Sequence, residues 1–124
     1  MLRNGITGDL VNGFNTPTAA RRVFFSSATA ESDVVRYSAK LCNDSQLVAY
    51  DALRPIAHPE RVTTPVLVLG AQLDAVITLA EITATAKAYG SDAEVFPDMG
   101  HNMMLEPGLA AVAERIDTWV SGQG

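Results

Sequence analysis

With 124 residues, 48% hydrophobic and 19% charged, the chain has the size and balance of one small folded domain. Its net charge of -5, with no cluster of Lys or Arg to neutralise phosphates, argues against nucleic acid or an anionic membrane surface as a partner. A single cysteine, Cys42, excludes an intramolecular disulfide and a multi-cysteine zinc site. "MLRNGITGDL" has no signal-peptide pattern and no apolar run reaches the roughly 18 residues of a membrane span, so a cytoplasmic chain without a span is expected.

The first half reads as helical. "TPTAARRVFFS" predicts a helix with Thr16 as N-cap and Pro17 at the first helical position, where the missing N–H costs nothing. Arg21 and Arg22 fit the solvated face of that helix. "AESDVVRYSAKL" predicts a second helix starting near Thr29, with acids in its first turn facing the positive end of the dipole, and Cys42 half-buried at its end. "NDSQLVAYDALRP" predicts a third, with capping residues at its start and a stop at Pro55. No Gly-rich phosphate loop, heptad run or internal repeat occurs, and no cofactor is expected. The proline-rich stretch "RPIAHPERVTTP", where His58 fits a structural role, divides a helical segment (1–60) from a second segment (61–124).

Beyond Pro65 the pattern alternates strand and helix. "PVLVLG" is a continuous apolar, β-branched run, the profile of a strand buried on both faces. "LAEITATAKAYG" reads as a helix closed by Gly90, with Lys87 near its negative end, and "AEVFPD" as a second short strand. In "PGLAAVAERIDTWV", Leu109, Val112, Ala113, Ile116, Trp119 and Val120 share one stripe, so this helix should pack against something large. The order β-α-β-α implies an α/β fold with parallel strands and a right-handed crossover.

In such a sheet the loops at the carboxyl ends of strands line the functional crevice. Asp74 follows the first strand and His101 the second. Neighbouring strands would bring the carboxylate within hydrogen-bonding reach of the imidazole, which fixes the tautomer a general base needs. Gly100 would let the chain turn tightly before the ring. Taken alone, Asp74 also fits a cap for the helix near Thr78. Asp98 and Glu106 compete as partners of His101 but fit solvated positions, and two separated histidines are too few for a metal site. Met103, Met104 and Leu105 fit core or pocket-wall positions beneath the histidine.

From Pro65 onward the chain resembles the C-terminal part of an α/β-hydrolase-fold protein. There, a strand like "TPVLVLGAQLD" delivers the triad acid and a loop like "FPDMGHNMMLEP" the triad histidine. The resemblance implies Asp74 as acid and His101 as base. "RRVFFSSATAESDVVRYSAKL" resembles the helical cap of esterase- and lysophospholipase-like members, and Phe24, Phe25, Tyr37, Met103 and Met104 would then supply an apolar substrate wall. The family order is Ser, then Asp or Glu, then His, with the serine on a G-x-S-x-G elbow upstream. None of Ser26, Ser27, Ser32, Ser38, Ser45, Ser91 or Ser121 has that setting, and the oxyanion-hole segment is also missing.

The expected function is therefore a partial serine hydrolase for an ester-like small molecule. It carries the triad acid and histidine and needs a nucleophile from outside this chain; the possible partners are a complementary N-terminal half or a homo-oligomer. The alternative is a non-catalytic α/β interaction module or one subunit of a split assembly.

Overall fold

The computed structural model describes residues 13–42 and 57–124. The helix expected over residues 43–55 lies outside them. Thr16 opens helix α1 (Pro17–Phe24), its hydroxyl accepting the Ala19 N–H at 3.2 Å, with Pro17 at the first helical position. Helix α2 (Glu31–Ser38) starts two residues after the expected Thr29 and has no side-chain cap, so Glu31 and Asp33 in its first turn carry the dipole complement. The two helices pack together through buried Ala20 and Val34, and the Phe25 and Tyr37 rings stack at 6.0 Å.

Arg21 corrects the expectation of a solvated pair. Only Arg22 is exposed. The Arg21 guanidinium donates to the carbonyls of Ser26 (2.9 Å) and Thr29 (2.8 Å) and pairs with Glu31, closing the loop between α1 and α2. Cys42 is exposed and lies beyond the end of α2.

The second unit is built on a parallel pair, β1 (Val68–Ala71) and β2 (Ala93–Phe96), in register Val68↔Ala93 to Ala71↔Phe96. Helix α3 (Leu79–Ala88) connects the strands and packs on both. It begins with a capping box: the Thr78 hydroxyl accepts the Glu81 N–H while the Glu81 carboxylate accepts the Thr78 N–H. Gly90, at φ +68°, ends it in the left-handed conformation that only glycine enters freely. The architecture is a small mixed α/β domain, four α-helices and a two-stranded parallel sheet among the described residues. No helix among them is long and apolar enough to cross a membrane.

Ala71, Met99 and Val112 form the core of this unit, with Leu69, Phe96 and Met103 packed against it. The strand expected to be buried on both faces is only half so: Val68 and Leu69 stay partly exposed. Helix α4 (Leu109–Ser121) shares the shortfall. Its stripe buries Val112, while Leu109, Ile116 and Val120 remain 43%, 43% and 58% exposed. Arg115 ties α4 to β2 through a two-pronged ion pair with Glu94, and those hydrogen bonds hold the Glu94 carboxyl below its usual range.

The two units meet where the loop after β2 docks on the end of α1. The Asn102 N–H donates to the Phe24 carbonyl at 3.0 Å. Gly100 lies so close that an added Cβ would meet Phe25 C and Ser26 N at 2.8 Å and Phe25 Cα at 2.9 Å. The glycine is therefore needed for close approach to another backbone, not for a tight turn. Backbone atoms cannot yield as a side-chain tip does, so Gly100→Ala is expected to destabilise the fold by about 2 kcal/mol. Chemical denaturation that shows no loss beyond experimental error would refute this docking argument.

Candidate functional site

The β1–β2 ladder continues past the strand ends. Gln72 N–H donates to the Phe96 carbonyl and Leu73 N–H to the Met99 carbonyl, both at 2.9 Å, and Asp98 N–H donates to Gln72 Oε1 at 3.2 Å. Asp98, at φ +56°, makes the turn that allows this, a conformation Asp tolerates better than most residues. The two loops thus leave the same edge of the sheet already bonded to each other.

Asp74 and His101 sit on these loops, with Asp74 Oδ2 2.9 Å from His101 Nδ1. The other carboxylate oxygen, Oδ1, accepts the N–H groups of Val76 (2.7 Å) and Ile77 (2.9 Å). Asp74 therefore closes a local turn and holds the imidazole at once, while Thr78 caps α3. Burial pushes the Asp74 carboxyl upward, but the hydrogen bonds from Ile77, His101 and Val76, with the imidazole's charge, outweigh it and the net displacement is downward. An ionised Asp74 can only accept, so Nδ1 carries the proton and Nε2 is the lone-pair nitrogen of the neutral ring. The Asp74 side chain is 8% exposed and that of His101 28%, an oriented imidazole with some access to solvent.

A cleft of about 300 Å³ is walled by Phe24, Phe25, Tyr37, Leu41, Leu105 and by Asn102, the residue after His101, among others. The Phe24 ring stands 6.1 Å from that of His101. Of the five residues expected to form an apolar wall, Phe24, Phe25 and Tyr37 gather here. Met103 and Met104 do not: Met103 packs on the core flank, and Met104, 61% exposed, borders a separate depression near Thr29 and Pro107.

Glu106 is the residue that sequence reasoning misplaced. Expected to be solvated, it is 4% exposed. Its Oε1 accepts the N–H groups of Ser26 (2.6 Å) and Gly100 (3.3 Å), and its Oε2 accepts the hydroxyls of Ser26 (2.5 Å) and Thr29 (3.0 Å). The available signal was an acid between Leu105 and Pro107, together with the run of hydroxyls in "FFSSAT" just beyond a helix end.

The described serines are engaged, exposed or at the far end of the sheet. Ser26 serves Glu106, Ser38 donates to the Val35 carbonyl at 3.1 Å, and Ser91 precedes β2, at the opposite edge of the sheet from His101. Ser27, Ser32 and Ser121 are exposed, and Ser45 lies outside the described residues. His58 pairs with Glu60 at 3.0 Å on the surface, remote in sequence from the Asp74–His101 pair.

No protein-family model, curated protein or solved structure matches this chain. The structure itself shows a generic mixed α/β architecture, four α-helices and a two-stranded parallel sheet among the described residues.

A carboxyl held below its unfolded value adds stability that is fully present above the unfolded value and disappears as pH falls through the folded one. Asp74→Asn is therefore expected to cost stability at neutral pH, with the difference from wild type shrinking below about pH 4. Denaturation midpoints of both proteins across the acid range test this. A difference that stays constant with pH would exclude an ionised Asp74 as the origin.

Proposed function

We propose that this chain is an α/β module that works inside a larger assembly, where it presents an aspartate-oriented histidine as a proton acceptor. The observation that carries the reading is the 2.9 Å Asp74–His101 pair at the carboxyl edge of the sheet. The open apolar stripe on α4 supports the assembly part. Leu109, Ile116 and Val120, each about half exposed, forgo roughly half of the about 1.5–3 kcal/mol that full burial gives, which a neighbouring chain could recover.

In the reaction class suggested by the sequence resemblance, a serine hydroxyl carried by a complementary chain would give its proton to His101 Nε2 as its oxygen attacks an ester carbonyl. The imidazolium would then protonate the departing alcohol, and water would release the acid by the same route in reverse. Asp74 would stabilise the imidazolium without taking its proton. The cleft walled by Phe24, whose ring stands 6.1 Å from that of His101, suits an apolar acyl or aryl group.

A second reading has its own support. The Asp74–His101 bond also latches two loops together, which is sufficient use for the pair in a non-catalytic interaction module. The hydroxyls already engaged elsewhere favour it.

Sedimentation of the isolated chain is expected to show self-association that survives His101→Ala. Intact-mass analysis after a fluorophosphonate is expected to show no adduct that depends on His101. A chain monomeric at every measurable concentration would count against assembly with itself. A single serine adduct lost in His101→Ala would place the nucleophile in this chain and overturn the proposal.

A further inference from the structure

We propose that Glu106 is a positioning residue for His101, linking the loop between α1 and α2 to the backbone just before the imidazole. This rests on the reading of Asp74 and His101 as a working proton acceptor. The coupling follows from where the bonds fall. Oε1 of Glu106 bridges two segments far apart in sequence, holding the Ser26 N–H and the Gly100 N–H together. Oε2 takes both hydroxyls of the same loop, Ser26 and Thr29. On the far side of His101, the Asn102 N–H is held by the Phe24 carbonyl. The imidazole therefore hangs from a short stretch of backbone fastened at both ends to the helical pair. Arg21 fastens that loop from the other side through the Ser26 and Thr29 carbonyls.

The chemistry distinguishes this from a simple staple. All four donors to Glu106 are neutral, so the carboxylate is buried without a countercharge on its hydrogen-bond partners. An apolar side chain of similar volume would join the two segments with less desolvation. What the carboxylate adds is direction: four bonds converging on two oxygens set the distance between loop and imidazole more narrowly than apolar contact does. A shift of the α1–α2 loop would reach Gly100 first and the Asp74–His101 bond next. The helical pair thus sets the orientation of the base.

Imidazole ¹H–¹⁵N NMR of the full chain reads this directly, through the His101 Nδ1–H resonance and its exchange with solvent. In Glu106→Ala, with a dispersed amide spectrum retained, the resonance is expected to vanish or to exchange at least about tenfold faster. Glu106→Gln, which keeps one acceptor oxygen, should restore part of the protection. Glu94→Ala breaks the β2–α4 ion pair away from the site and should lower the melting temperature while leaving the resonance unchanged. A folded Glu106→Ala with wild-type resonance and exchange overturns the proposal. If that variant does not fold, Ser26→Ala combined with Thr29→Val removes two donors and keeps the carboxylate. Faster exchange there supports the link, and unchanged exchange overturns it. Absence of the resonance in wild type, or its survival in Asp74→Asn, overturns the reading of the pair itself and the positioning role with it.

Discussion

The parallel register of β1 with β2, extended by two backbone hydrogen bonds beyond the last strand residues, is the constraint on which the site depends. Strand pairing alone brings Asp74 and His101 to one edge. The bonds from Gln72 to Phe96 and from Leu73 to Met99 carry the pairing into the loops. Without them the two side chains would sit on independently moving segments, and a 2.9 Å contact would cost each loop its conformational freedom. With them, most of that ordering is already supplied by the ladder. The positive φ at Asp98 is the local accommodation that permits it.

The same edge is buttressed from the other unit, and the buttress is polar. Glu106, Gly100 and the end of α1 meet at backbone separations that leave no room for a Cβ, so the imidazole loop is pressed against the helical pair. Burying a carboxylate among neutral donors is favourable only when its acceptor sites are well used, and here both oxygens accept twice. The junction therefore tolerates little adjustment. The apolar cleft formed by Phe24, Phe25 and Tyr37 lies on the same junction, so its shape and the orientation of the base are set by one piece of packing.

Closure at this edge contrasts with the open state of the rest. A two-stranded sheet has little face to cover, and α4 uses only the Val112 part of its stripe on the Ala71–Met99 cluster. The unit is well determined where its loops meet and underburied where its helix faces outward. That combination, an Asp–His pair held at a closed edge of a domain with an open apolar stripe, is what supports the proposed assembly.

Much of the local structure was legible in the sequence because its signals act over three or four residues. Thr16 with Pro17, the start at Thr78 and the stop at Gly90 each satisfy backbone groups within one turn, and each lies where the residues indicated. The two strands and the placement of Asp74 and His101 just beyond them were legible for the same reason: short apolar runs and breakers define the segments, and parallel connection constrains their edges. Only the tertiary structure decided what Glu106, Gly100 and Arg21 do, and that Met103 and Met104 stand apart from the cleft. Ser26 and Glu106 are 80 residues apart. No periodicity or cap links them, and a buried acid looks in sequence like any solvated one until its donors fold around it.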